Sequence, residues 1–384
     1  MARPRMTKRI ALFYPLRLGN AQDFLRGIFR YARPDRPWEF SLTHGWNADR
    51  LLAWRPDGII GHVLTADAAL TFERVSVPVV ETAFDFEDLP VPRVGLDDRA
   101  IGTMAAEHFL DHGFFRFVYI GEPHRAYSQR RWEGFRSRLR AAPYRAADAT
   151  GVIGSHWQEG LPPVSAQARK WIQSLSGPIA IFAAHDALGL ELLEAARSVG
   201  AKVPEDLAVL AVNNIDWICD LAHPPLSSIR TAAETAGFEA ARLLDHLMAG
   251  GPPPASRIEF PPLGVATRRS TDVYAVTEAS LAAALQFIRD HSQQNIGVHE
   301  VAEAACVSRS TLERRFRALL GRSPLQEIHR VRIERARQAL IEHDWPMSRV
   351  ARHAGFRDER HLTERFRAHC GEPPSSFRAR FRCG

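Results

Sequence analysis

At 384 residues the chain exceeds one ordinary domain and suits two or three of about 100 to 200 residues each, so an architecture must be read before a function. With 45% hydrophobic, 24% charged and 9% aromatic residues it can bury real cores, which excludes disordered, collagen-like and coiled-coil chains. The formal net charge is +6 and lopsided: residues 275 to 384 hold 19 arginines, no lysine and 13 acids, so the whole surplus lies in the last 110 residues. Guanidinium groups suit phosphate and guanine edges, and a nucleic-acid module at the C-terminal end is the first expectation. A solvated helix surface laced with Glu/Arg pairs is the plainer alternative.

The basic N-terminus, MARPRMTKRIALFYP, runs straight into a strand-like stretch without the apolar core of a secretory signal, and no window offers the roughly 18 apolar residues of a membrane span. Cys219, Cys306, Cys370 and Cys383 lie far apart, without disulfide-scaffold or zinc-finger spacing. A cytoplasmic protein without membrane partner, metal or cofactor is expected.

From residue 8 to about 268, short apolar or β-branched runs alternate with amphipathic stretches. The runs are Ile10 to Tyr14, Gly58 to Val63, Val77 to Glu81, Arg93 to Leu96, Phe115 to Ile120, Ile179 to Ala183 and Leu207 to Val212. Helix-length segments such as Ala100 to Asp111, Arg131 to Arg140 and Ala187 to Val199 lie between them. Such alternation predicts α/β lobes, parallel sheets with helices on both faces, whose ligands sit beyond the carboxyl ends of strands. The loops there carry Tyr14 to Asn20, His62, Asp97 with Asp98, Asp186, and Asn213 with Asn214, while Trp157 and Trp217 offer aromatic faces. Carboxylates, amides and guanidinium around an aromatic wall suit the hydroxyls of a sugar, each of which needs a partner when buried. Asp and Asn at strand ends are equally common as helix caps.

The segments VGLDDRAIGTMAAEHFLDHGFFRFVYIG (94 to 121), RRWEGF (130 to 135), AAHDALGLELLEAARSVGAKVPEDLAVLAVNN (183 to 214), PPLSSIR (224 to 230) and PPLGVATRRST (261 to 271) resemble, in order, the effector-binding core of the lactose-repressor family. The resemblance spans about 260 residues and implies a two-lobed core similar to periplasmic sugar-binding proteins. It puts Asp97, Arg131, Asp186 and Asn213 at the ligand, with Trp157 a weaker match. Asn213 stands where the family usually has Asp, and an amide both donates and accepts where a carboxylate only accepts. No helix-turn-helix fits before Ile10, so the DNA-reading part is expected elsewhere.

The last 110 residues contain a repeat at an offset of 50: ERRFRALLG (313 to 321) and TERFRAHCG (363 to 371), with Leu312 and Phe316 matching Leu362 and Phe366. Ala302, Cys306 and Val307 precede the first copy, and Ala351, Gly355 and Phe356 the second. A small residue lets two helices cross closely, and the pattern predicts two helix-turn-helix units. Leu325 to Glu342, with Ile328, Val331, Ala336 and Leu340 inward, is the connecting helix. The segment 296 to 381 closely resembles the AraC family of regulators, which implies double-stranded DNA read in successive major grooves. Reading helices are expected from about Ser308 and Asp358. Arg309, Ser310, Glu313 and Arg314 should face outward in the first, and Glu359, Arg360, His361, Thr363 and Glu364 in the second. Arg314 and Arg360 are expected at base edges, whereas Arg317 and Arg367 suit phosphate or their own helix ends. Leu312, Phe316, Leu362 and Phe366 should be core. Cys306 occupies a turn position usually held by glycine, so slight strain is expected there.

Two domains are thus expected, 1–274 for a sugar and 275–384 for DNA. The joined architecture, with RRSTDVYAVTEASLAAALQFIRDHS (268 to 292) as its junction, resembles bacterial pentose-operon regulators. That resemblance implies a homodimer in which a pentose such as D-xylose closes the lobes and genes for its use are activated, with RNA polymerase as a further partner. The sign of regulation stays open between activator and repressor. Catalysis is not expected: His185 beside Asp186, and His108 with His112 at helical spacing, lack the further groups that zinc-protease or hydrolase motifs require.

Overall fold

The computed structural model describes residues 7–15, 19–32, 37–43, 53–152, 166–254, 257–272 and 278–381. Its strands in chain order are β1 (Lys8–Phe13), β2 (Trp38–Thr43), β3 (Gly58–Gly61), β4 (Val79–Glu81), β5 (Val94–Leu96), β6 (Phe117–Ile120), β7 (Ala146–Asp148), β8 (Ile179–Ala183), β9 (Leu207–Val212), β10 (Ser227–Arg230), β11 (Ile258–Phe260) and β12 (Gly264–Ala266). A first lobe is built on the parallel sheet β2-β1-β3-β4, extended by the β5-β11 pair. The second is built on β12-β10-β9-β8-β6-β7, parallel except for β12. The runs IAIFA and LAVLAV are buried at every position, as expected of strands covered on both faces. The expected α/β architecture is present. β2, β7, β10, β11 and β12 were not foreseen: β2 is a half-buried edge, and the others are too short or too polar to carry a period-two signal.

The chain passes between lobes near residues 97, 232 and 262. After the first passage, helix Asp98–Asp111 lies against helix Ala126–Ala141 at backbone contact. A Cβ on Gly102 would overlap the Arg131 carbonyl, and one on Gly134 would overlap that of Arg99, so both positions must be glycine for this crossing. Gly27 and Gly237 make the same kind of crossing in the first lobe, between helices Ala21–Tyr31 and Ala233–Met248.

The C-terminal region is all helix. Ala279–His291, Val298–Ala304 and Arg309–Leu320 surround one small core containing Leu312 and Phe316, and Met347–His353, Glu359–Cys370 and Pro374–Phe381 surround a second containing Leu362 and Phe366. All four of these side chains are fully buried. Helix Pro324–Glu342 gives Ile328 to the first core and Ile333, Ala336, Ala339 and Leu340 to the second, which joins the units rigidly. Val331 is only partly buried, and Ile333 rather than Val331 is the fuller inward contact. The expected boundary between residues 274 and 275 lies outside the described residues.

Cys306 sits at φ 53°, in the left-handed region, as the usual glycine would. Its counterpart Gly355, at φ 84°, lies so close to the Ser292 carbonyl that a Cβ would overlap it. The Cys306 side chain is exposed and contributes little packing. Cys306→Gly should therefore stabilise the module by about 1 kcal/mol, seen as a higher denaturation midpoint; a lower midpoint would show that this turn is unstrained.

Candidate functional site

A cleft of about 950 Å³ opens between the lobes, lined by loops that follow the strands of both sheets. From the first lobe come Asn20, His62 and Thr82, and from the second Asp98, Glu122, Arg125, Tyr127, Arg131, His185, Asp186, Asn213 and Trp217. Among the residues expected at a ligand, Arg131, Asp186 and Asn213 line the cleft. Asp97 does not: its carboxylate caps the next helix, accepting from the Ala100 N–H at 2.9 Å. The carboxylate on the cleft is its neighbour Asp98. Trp157 lies outside the described residues. Tyr14 is also not a wall of the site, since it is fully buried with its hydroxyl 3.0 Å from Thr82 Oγ1, whereas Trp217 is 54% exposed at the cleft mouth.

Each polar group has a definite state. Arg131 donates from Nε to Asp98 Oδ1 at 2.9 Å and from Nη1 to the Ala184 carbonyl at 2.5 Å, and its guanidinium lies 4.8 Å above the Tyr127 ring. Arg130 shares the same carboxylate at 3.2 Å. Asp186, with no exposed surface, accepts from the Ile215 N–H at 2.7 Å and the Ser228 hydroxyl at 2.5 Å. Burial nevertheless pushes its carboxyl up to about 7. Burial also works to raise Glu122, but the hydrogen bond and charge of His185 and the Tyr127 hydroxyl prevail and bring it down to about 2. His62, 2.6 Å from Thr82 Oγ1, is held neutral by burial, down to about 3. Asn213 is at φ 107°, a strained position for any residue with a Cβ, and its side-chain oxygen is buried without a hydrogen-bond partner.

Two arginines also tie the lobes across the cleft edge. Arg125 donates to the Leu64 carbonyl and to Asp85 Oδ2, both at 3.1 Å, and Arg130 to the Phe84 carbonyl at 3.0 Å. These contacts and the Glu122–His185 pair were not legible beforehand; the one available signal was the doubling of Asp97 with Asp98 and of Arg130 with Arg131. His185 Nδ1 accepts from the Leu188 N–H at 3.3 Å and its Nε2 faces Glu122, so it forms no acid–base pair with Asp186. His108 and His112 are engaged by Thr271 and by the His108 carbonyl, and no cluster of three or more metal-ligating side chains occurs among the described residues.

At the other end of the molecule, Ser308 and Asp358 cap the reading helices, accepting from the Thr311 N–H at 3.2 Å and the His361 N–H at 2.7 Å. Arg309, Ser310, Arg314, Glu359, Arg360 and Glu364 are exposed, while Glu313 and Thr363 are half-buried. Arg309 pairs with Glu313 and Arg360 with Glu364, each at 2.9 Å. His361 departs from the outward expectation: its ring packs edge-on to Phe356 and to His329, and burial lowers its pKa. Several arginines of the basic tail are spent internally. Arg332 is buried and donates to the Ser292 and Gln294 carbonyls, and Arg315 pairs with Glu278.

Residues 106–271 match the model of a periplasmic binding protein-like domain, and residues 301–380 that of a helix-turn-helix domain. The xylose operon regulatory protein of Escherichia coli (strain K12) is 27% identical over 384 residues, covering 96% of each chain. The solved structure of a xylose-binding transcription activator, xylR, superposes with a TM-score of 0.62 at 25% identity, covering 98% of each chain. This chain is a sugar-sensing transcription regulator, similar over its full length to xylose operon regulators. It joins a periplasmic-binding-protein-like sugar-sensing core to an AraC-type helix-turn-helix domain that binds DNA, and it is not an enzyme. The structure of a complex of the transcriptional regulator CelR with cellobiose has the same core fold, with a TM-score of 0.58 at 22% identity over 69% of this chain and 85% of the other. No helix among the described residues is long and apolar enough to cross a membrane.

The state of Asp186 sets a pH dependence for this regulator's core. Its pKa is raised by burial to about 7 from an ordinary 3.8, so the unfolded chain loses this proton first and native stability falls as pH rises between those values. Asp186→Asn, uncharged throughout, should gain melting temperature relative to the natural chain from about pH 5 to about pH 8. A difference that stays constant over that range would mean that Asp186 is ionised throughout.

Proposed function

We propose that the regulator binds a pentose, D-xylose foremost, in the interlobe cleft and activates sugar-utilisation genes as a homodimer. Arg131, Asp186 and Asn213 form its polar contacts. The observation that carries this reading is the buried, unpartnered oxygen of Asn213 on the cleft wall, held at φ 107°. A buried acceptor without a donor is costly, and a sugar hydroxyl supplies the donor. The full-length likeness to proteins named for xylose supports that sugar over others. Trp157 is retained as a candidate from resemblance alone, and Asp97 contributes by capping the helix that presents Asp98.

In the DNA-binding domain, Arg314 and Arg360 are the proposed base readers, with Arg309, Ser310, Glu359, Thr363 and Glu364 around them. Arg360 is presented already oriented by Glu364. His361 supports the helix from inside. Because exposed arginines release counterions from phosphate, affinity for DNA should fall steeply with salt. Pairing of two cores by two-fold symmetry would place one half-site on each subunit, with RNA polymerase the partner for activation.

Titration calorimetry of the full chain with a panel of pentoses tests the ligand. Asn213→Gly removes the amide and relieves the strained φ, so it should weaken D-xylose by about tenfold or more without lowering the melting temperature. Unchanged affinity in that variant would remove Asn213 from the site, and absence of heat from every pentose would remove the pentose.

A further inference from the structure

Helix Asp98–Asp111 has one end in the cleft and the other on the DNA-binding domain. At its first residue, Asp98 holds Arg131 at 2.9 Å and Arg130 at 3.2 Å, and Arg130 reaches across to the Phe84 carbonyl of the other lobe. At its last residue, Asp111 Oδ1 accepts from Arg322 at 3.0 Å, Asp111 Oδ2 accepts from Arg330 at 2.9 Å, and the Asp111 carbonyl accepts a second Arg322 donor at 3.0 Å. Both arginines are held from the other side by Glu327, which has no exposed surface, at 2.5 and 2.8 Å. Arg322 directly follows Gly321, the residue that ends the first reading helix. Next to Asp111, His112 Nε2 lies 3.2 Å from Arg289 on the first helix of the DNA-binding domain.

Fourteen residues at 1.5 Å each give a rod of about 20 Å. The backbone crossing at Gly102 and Gly134 locks it to helix Ala126–Ala141, which carries Arg130 and Arg131 and directly follows Arg125, so the pair moves as one body. A ligand that engages Arg131 changes the load on Asp98 and on the contacts to the other lobe, and any resulting shift of the rod arrives at Asp111. There it meets a charged junction whose arginines sit one residue beyond a reading helix and on the connecting helix.

We infer that Asp111, clasped by Arg322 and Arg330, is the positioning residue through which occupancy of the cleft sets the orientation of the first reading helix. This rests on the proposed placement of the sugar in the cleft. The contact is a coupling device and not part of either binding surface, so breaking it should separate the two activities while sparing each.

The test uses the full chain, D-xylose, and a DNA duplex selected from a random pool by the natural protein. In the natural chain, saturating D-xylose should change DNA affinity by a factor on the order of 5 to 150. Asp111→Asn should bring that factor to within about twofold of unity while leaving the D-xylose affinity without DNA within about twofold of the natural value. Arg330→Gln, which breaks the junction from the other side, should do the same. If Asp111→Asn keeps the full ratio, or if bound D-xylose leaves the DNA affinity of the natural chain unchanged, the inference is overturned.

A second arm needs no sugar. Asp98→Asn should speed amide hydrogen exchange across residues 322–332 in the natural background and add nothing in an Asp111→Asn background; equal acceleration in both would overturn the inference. If no pentose gives heat with the natural chain, the ligand reading fails by itself and this exchange comparison still decides the coupling.

Discussion

The arrangement turns on the close crossing of two helices in the second lobe. Because Gly102 and Gly134 leave no Cβ between the backbones of Asp98–Asp111 and Ala126–Ala141, the start of one helix lies directly beside the middle of the other. Asp98 and Arg131 are brought to hydrogen-bond distance by that approach, and Arg131 is aimed into the cleft with Tyr127 beneath it. A single methyl group at either glycine would push the helices apart and carry the guanidinium with them. Rigid backbone contact converts a local requirement for glycine into the geometry of a binding wall.

The charged groups around the cleft are buried together with partners. Asp98 is shared by two arginines, Glu122 is held by His185 and Tyr127, and the Asp186 carboxyl, pushed towards its neutral form by burial, accepts from a backbone N–H and a hydroxyl. A buried charge is tolerable when paired and hydrogen-bonded, as Asp98 and Glu122 are. Among the described residues of the wall, the amide oxygen of Asn213 remains unsatisfied, an acceptor that a ligand hydroxyl can fill. In the DNA-binding domain the logic is similar, with Arg332 and Arg322 consumed in holding helices together and Arg314 and Arg360 left on the surface. Net charge located the domain correctly but overstated how many guanidinium groups face outward.

Much of the fold was legible because its signals are local and repeated. Fully apolar runs such as LAVLAV had to be covered strands, and the duplicated Leu-x-x-x-Phe spacing had to be two equivalent cores. The candidate site was legible at strand ends for Asp186 and Asn213 and through the family resemblance for Arg131, and all three line one cleft. Adjacent polar residues were harder to tell apart. Asp97 and Asp98 differ by one position, yet one caps a helix and the other faces the cleft, since a helix start turns successive side chains by about 100°. His361 was read as outward for the same reason, although Phe356 and His329 receive its ring. The interlobe contacts of Arg125 and Arg130, and the clasp on Asp111, join residues 40 or more positions apart and leave no periodic trace.

A sugar cleft and a DNA reader on one chain form a switch only if each senses the other, and such sensing is reciprocal by thermodynamic necessity. The most direct test is the dissociation constant for D-xylose measured by calorimetry on the full chain, alone and with saturating selected DNA. The account predicts two different constants, whose ratio equals the factor by which the sugar changes DNA affinity. Identical constants with and without DNA, despite a clear binding heat, would contradict it.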